Sequence, residues 1–217
     1  MSELSVMPSA LAYLYGDLLQ DVFASSVRVS MNEQLPCRQV SVKKSDLATL
    51  VLATAFVYWT EQGCLQLSTS TKGLLIKSKY VLARRTAKAA PRLEGLESQV
   101  LASVTGREKG DGVGSIVERV LHKDYVDPWG AVIREVQRYL LGLGYYAEAE
   151  RRGVGKLLGK ELVPRCDRIT SLQSEAGGVH DLLARFRSSQ ADLYPQLWKD
   201  VGAGITSRQE TPDNDLA

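Results

Sequence analysis

The stretch SDLATLVLATAFVYWTEQGCLQLSTSTKGLLIKSKYVLARR, residues 45–85, changes periodicity partway along. Its first part, residues 46–62, is apolar almost without interruption, which predicts a helix buried on every side. Gly63 stops it, and from Cys64 onward apolar and polar residues alternate around a polar turn, as the strands of an antiparallel ribbon do. Helix, tight stop and two-stranded ribbon, in that order, are the layout of a winged helix. Ser45 is placed to cap the helix, and Asp46 suits the positive end of its dipole. The most apolar part, residues 47–59, spans about 13 residues against the roughly 20 a membrane-crossing helix needs, and Lys43, Lys44, Asp46 and Glu61 bracket it. It reads as a core helix.

Working outward, residues 10–24 form an amphipathic helix pattern with Leu11, Leu14, Leu18, Leu19 and Val22 on one face. Residues 26–30 (SVRVS) alternate like a strand, and MNEQLPCRQV after them reads as a loop or edge strand because of Pro36. On the other side, RRTAKAAPRL is a small, basic connector, followed by a short helix over residues 93–104. Residues 106–114 (GREKGDGVG) are a flexible Gly-rich loop, with Ser115 capping a short helix that runs to Leu121. DPWGAVIREVQRYLLGLG opens with Asp127 as N-cap and Pro128 at the first helical position. Its apolar stripe is Trp129, Val132, Ile133, Val136, Leu140 and Leu143. Gly144 stops this helix, YYAEAE reads as a strand, and RRGVGKLLGKE as a turn and return strand.

A long helix, a glycine and an alternating strand thus occur twice, which predicts a tandem of winged-helix-like units; helix–Gly–strand is also a common step that can recur by coincidence. Residues 168–187 and 192–207 are further helices, the first open to interruption at Gly177 and Gly178, and the tail is polar and disordered in expectation. The expected fold is α+β and mostly helical. It divides into residues 1–44 (N-terminal helix and extended segment), 45–92 (first unit and connector), 93–165 (second unit), 166–207 (C-terminal helices) and 208–217 (tail).

With 217 residues, 44% of them hydrophobic, 24% charged and a net charge of +2, the chain is long enough to bury a real core and too near neutral to coat nucleic acid. Cys37, Cys64 and Cys166 are odd in number and without CxxC spacing. They are expected to be free thiols in a reducing compartment, with no zinc site. MSELSVMPSA lacks a basic segment leading into an apolar one, so no secretory leader is expected. The localisation expected is cytoplasmic, with or without peripheral association with a membrane.

The catalytic inventory is thin. His122 and His180 stand in no metal or triad spacing, and Cys166, though flanked by charges in PRCDR, has no histidine near it in sequence. GVGSI at a helix start invites a phosphate, but the GKS or GKT ending of a P-loop is missing. No catalytic residue, metal or cofactor is expected. The basic residues are the stronger signal. Residues 62–93 contain no acid but hold Lys72, Lys77, Lys79, Arg84, Arg85, Lys88 and Arg92, and Arg151, Arg152, Lys156 and Lys160 follow the second helix. On two ribbons these would face phosphate, anionic lipid or an acidic protein; the plain alternative is a solvated strand face. The helix over residues 46–62 is too apolar to read base edges, and the second presents Arg134, Glu135, Gln137 and Arg138, an acid among them.

ATAFVYWTEQGCLQL, the basic ribbon, KAAPRLEGLESQVLASV and IREVQRYLLGLGYYAE together resemble the Golgi phosphoprotein family and its bacterial relatives, over roughly residues 45–190. The resemblance lies in order and spacing. It implies a mostly helical, membrane-associated adaptor that binds phosphoinositide headgroups on a basic, Trp-bearing surface. Of that family's two lipid-contacting arginines three residues apart, Arg134 matches the first, Gln137 falls on the second, and Arg138 is next to it. The family's Trp and Arg ahead of the first core helix have no counterpart in SVRVSMNEQLPCRQVSVKK. The expectation is therefore a non-catalytic adaptor or assembly protein that contacts partner proteins or an anionic membrane surface through Lys72, Lys77, Lys79, Arg84, Arg85, Arg134, Arg138, Arg151 and Arg152. The alternative is a winged-helix DNA-binding regulator.

Overall fold

The computed structural model describes residues 4–22, 32–73, 78–91, 93–150 and 160–210. In chain order it holds α1 (Pro8–Leu14), a 3₁₀ helix (Gly16–Val22), β1 (Asn32–Gln34), β2 (Ser41–Lys43), α2 (Lys44–Glu61), β3 (Leu65–Lys72), β4 (Ser78–Arg85) and α3 (Gly95–Ala102). There follow β5 (Asp111–Gly112), α4 (Val113–Val120), α5 (Pro128–Gly142), β6 (Tyr146–Glu150), β7 (Lys160–Pro164), α6 (Cys166–Thr170), α7 (Gln173–Ser189) and α8 (Leu193–Thr206). The fold is α+β and mostly helical, the strands among the described residues gathered into three small antiparallel sheets ordered β1-β2, β3-β4-β5 and β6-β7.

Most of the helices pack around α2. Leu47, Ala48 and every residue from Leu50 to Trp59 are buried, and α1, α3, α5, α7, α8 and β3 surround it. A helix apolar on every side has no face to offer water, so it takes the centre and leaves the amphipathic helices to form the shell. Its buried hydroxyl is satisfied internally, Thr54 Oγ1 donating to the Leu50 carbonyl at 2.8 Å. Among the described residues no helix is long and apolar enough to cross a membrane. Asp46 sits in the first turn of α2 as expected, but the helix begins earlier, its N-cap is Lys43, and Ser45 lies inside it without capping.

The N-terminal helix is shorter and deeper than its pattern implies. All seven residues of α1 are buried, and the chain then tightens into the 3₁₀ turn, leaving Leu18 42% exposed. Met7, at the N-cap, offers no side-chain acceptor to the free N–H groups of the first turn. Glu97 of α3 supplies it from across the core. Its carboxyl oxygens accept from Ser9 N and Ser9 Oγ, both at 2.7 Å, with the Glu97 side chain wholly buried. The backbone carbonyl of the same residue accepts from Trp59 Nε1 at 2.6 Å, which ties α2 to the same point. Met7 N donates to Tyr139 of α5 at 3.2 Å, completing the cap from a third helix.

Asp127 caps α5 as expected, its Oδ1 accepting from Gly130 N at 2.9 Å, and Val132, Ile133, Val136 and Leu140 of the apolar stripe are buried. Gly177 and Gly178 do not interrupt α7, which runs through them. The chain after α8 is docked as far as Glu210: Tyr125 N donates to the Arg208 carbonyl at 2.8 Å, and Glu210 N to the Tyr125 carbonyl at 3.0 Å. The strand expected over residues 26–30 and the residues after 210 lie outside the described residues.

The cysteine expectation is overturned. Cys37 and Cys166, separated by 129 residues, form a disulfide with their Cα atoms 5.3 Å apart, and only Cys64 is free and buried. No spacing motif marks the pair, because the folded chain alone brings the β1–β2 turn against the start of α6. With the bridge present, cysteine usage no longer argues for a reducing compartment. Arg38 N donates to the Leu35 carbonyl at 3.3 Å across Pro36 and Cys37, and Cys37 has φ 60°. Proline at the second turn position and positive φ at the third define a type II turn, where glycine is preferred. A cysteine there costs about 1–2 kcal/mol of backbone strain.

His180 of α7 faces the 3₁₀ helix, its Nε2 3.0 Å from Asp21 Oδ2. The hydrogen bond to Asp21 raises the His180 pKa above 6.5, and the same bond lowers Asp21 below 3.8. A raised histidine stabilises the fold fully below its unfolded value, and that contribution fades as pH rises through the folded one. The Asp21 contribution is present above 3.8 and fades as pH falls through its depressed folded pKa.

Glu97→Ala strands the Ser9 donors in the core and is expected to destabilise by about 2–4 kcal/mol, with Glu97→Gln losing less; thermal unfolding measures both. In an NMR titration the His180 ring is expected to protonate above pH 6.5 and to fall back toward that value in Asp21→Asn.

Candidate interaction surface: the basic ribbon and its groove

The ribbon is set by Gly63, whose φ of 71° turns the chain out of α2 so that Cys64 N bonds the Trp59 carbonyl at 2.9 Å and β3 begins at once. β3 pairs with β4 from Leu65↔Arg85 to Lys72↔Ser78. Side chains alternate between faces, so Leu65, Leu67, Val81 and Ala83 share one side, three of them buried and Leu67 packed against the core. Lys79 and Arg85 extend that side at its two ends, while Lys72 and Arg84 project from the opposite side. The four described cations are all exposed, and neither strand contains an acid. Arg84 donates to Gln66 at 2.8 Å; among the described residues none of the four has a carboxylate within ion-pair distance. The ribbon is thus basic on both faces rather than bearing a single positive patch.

The outer edge of β4 is closed by polar groups that sequence reasoning missed. β5 covers Leu82 and Ala83, and Asp200 of α8 accepts from Val81 N at 2.5 Å while Gln196 holds its other oxygen at 2.6 Å. The loop before β5 is organised, not flexible. Asp111 is buried there, accepting from Thr105 N at 2.7 Å and from the Thr105 hydroxyl, with Arg119 at 3.4 Å. Burial pushes the Asp111 carboxyl up, but the two Thr105 bonds and the nearby Arg119 and Arg107 outweigh it and hold it below 3.8. Two glycines flanking a buried acid in GDG are the one signal that could have located it.

Between β4, the start of α4 and α8 lies a groove of about 750 Å³ lined by Lys72, Ser78, Tyr80, Ser115, Glu118 and Asp200 among others. Its Gly-rich floor serves packing. A Cβ on Gly204 would lie 2.7 Å from the Gly114 carbonyl and 2.9 Å from Val117 Cβ, so Gly204 lets α8 touch the backbone of α4. Gly112, not Ser115, is the N-cap of α4, and it makes no side-chain cap bond. With Glu118 and Asp200 beside a single lysine, the groove does not suit the phosphate that GVGSI invited.

The α5 arginines occupy another part of the surface. Arg138 is ion-paired with Glu135, and Arg134 lies by Asp127, whose carboxyl Lys44 holds at 2.9 Å. Gln137, which falls on the second arginine of the family pattern, is turned inward and donates to the Tyr13 hydroxyl at 2.8 Å. Tyr13 and Tyr146 meet at 3.1 Å, and burial raises both pKa values, so they remain neutral phenols that hold the core. Lys77, Arg151 and Arg152 lie outside the described residues. Among the described residues no group of His, Cys, Asp or Glu could hold a metal ion.

No family model, no curated protein and no solved structure matches the chain.

Replacing Gly204 by valine is expected to force α4 from α8 and cost about 1–3 kcal/mol, lowering the thermal midpoint by several degrees, whereas Gly142→Ala, helical and meeting no neighbour, is expected to hold or slightly raise it.

Proposed function

We propose that the protein is a non-catalytic adaptor that holds an anionic surface, a membrane face or an acidic partner, against its β3–β4 ribbon. The observation that carries this reading is the set of four exposed, acid-free cations, Lys72, Lys79, Arg84 and Arg85, on one hairpin. Exposed cations without carboxylate partners keep their full attraction for a polyanion, about 1 kcal/mol each near an anionic lipid surface. The resemblance to the Golgi phosphoprotein family supports the same reading, as do the two helix–hairpin steps, α2 with β3–β4 and α5 with β6–β7, taken as winged-helix-like units. Peripheral association fits a chain whose described helices are too short or too polar to cross a bilayer. The inward Gln137 argues against a headgroup held by a pair of residues three apart on α5.

The test compares anionic liposomes with random duplex DNA, at low and at physiological salt, for the natural protein and a Lys72→Ala, Lys79→Ala, Arg84→Ala, Arg85→Ala variant. Liposome binding is expected to exceed DNA binding, to weaken as salt rises, and to fall at least tenfold in the variant. Stronger binding to DNA, with a salt slope of several phosphates, would favour the DNA-binding regulator instead. Binding to neither at low salt would leave the ribbon a solvated face.

A further inference from the structure

The Cys37–Cys166 bridge sits where a structural disulfide gains little protection. Both residues are exposed, and the bridge joins a hairpin of three residue pairs, β1–β2, to α6, a helix of five residues. A cleft of about 290 Å³ opens beside it, lined by Tyr15, Cys37, Arg38, Gln39, Thr170 and Gln173 among others. Cys37 itself lines this cleft, so one sulfur-bearing residue borders a cavity large enough for a small molecule. The backbone adds a second observation. Cys37 occupies the glycine position of a type II turn at φ 60°, a conformation that cysteine resists. Backbone strain of this kind persists where the surrounding structure over-determines it, and here the tether to α6 is part of that constraint.

We propose that this bridge is a redox-labile latch, opened by a low-molecular-weight thiol that enters the cleft and attacks Cys37. The incoming thiolate forms a bond to Cys37 Sγ as the Cys37–Cys166 bond breaks, and Cys166 leaves as a thiolate that takes a proton from water. A second thiolate then attacks the outer sulfur of the mixed disulfide. It releases Cys37 as a thiolate, protonated in turn, and carries the two electrons' worth of oxidation away as the small-molecule disulfide. Opening is local. The turn keeps the Arg38–Asp17 ion pair at 2.7 Å and the Arg38 guanidinium over the Tyr15 ring, while α2 and its buried neighbours make no use of the bridge. What loosens is the hairpin that leads directly into α2 and whose Glu33 lies 3.9 Å from Lys44, next to the Lys44–Asp127 pair.

The experiment uses the full chain in a series of reduced and oxidised glutathione mixtures. Thiols are trapped by alkylation, adducts located by peptide mass spectrometry, and backbone opening followed by hydrogen exchange. The bridge is expected to open while the far-ultraviolet circular dichroism stays native, with a glutathione adduct on Cys37 at intermediate ratios. Exchange across residues 32–43 is expected to rise at least tenfold, with α2 and α5 unchanged. Thr170→Trp, which fills the cleft, is expected to slow opening about tenfold, while a Cys37→Ser, Cys166→Ser variant reproduces the open exchange pattern without any thiol. The proposal fails if the bridge yields only together with global unfolding, if adducts collect on Cys166, if the hairpin exchanges no faster once opened, or if three free thiols are found from the start.

Discussion

Glu97 is the residue on which the rest of the structure depends. A helix buried along its whole length cannot leave its first N–H groups to water, and α1 carries no capping side chain of its own. The Glu97 carboxyl answers that need, and its position in α3 means that α1 can be buried only when α3 is in place. Its main-chain carbonyl receives the Trp59 indole, so the central helix is held to the same residue. Three helices distant in sequence thereby converge on one buried polar site. Apolar packing alone is non-directional and tolerates sliding; a buried hydrogen-bonded carboxyl does not.

The ribbon shows the same logic at the surface. Its inner side is anchored by Val81 and Ala83 and its outer edge is closed by Asp200 and β5, which leaves its cations at the ends and on the opposite face without an ion-paired carboxylate among the described residues. The edge is held by α8, α8 is held by its close crossing with α4, and that crossing needs Gly204. The middle of β4 is therefore held on both edges, by β3 on one and by β5 and Asp200 on the other. Under the proposed adaptor reading this matters, because a strand already fixed in place loses less freedom when an anionic partner arrives.

Several features were legible in the residues themselves. The all-round apolarity of residues 46–62 required a central helix, Gly63 required a stop, and alternation in β3 and β4 required a ribbon; each is a local rule with one satisfactory outcome. Asp127–Pro128 announced the start of α5 for the same reason. Boundaries drifted where a polar residue had more than one use: Ser45 and Ser115 look like caps, but both helices begin earlier. Glu97 left a trace, an acid in line with Val100, Leu101 and Val104 on the apolar face of its helix, yet nothing in that spacing names Ser9 as its partner.

The central helix, the ribbon that follows it and the acid-free charge on that ribbon were already written in the order of neighbouring residues. It took the folded chain to bring Cys37 to Cys166, Glu97 to the start of α1 and Asp200 to β4, and to turn Gln137 inward while Arg134 and Arg138 face out. Each of these pairs residues far apart in the chain or chooses which face of an element is covered. The physical reason is that periodicity records which side of a segment is apolar, whereas the partner on that side is selected by the packing of all segments at once.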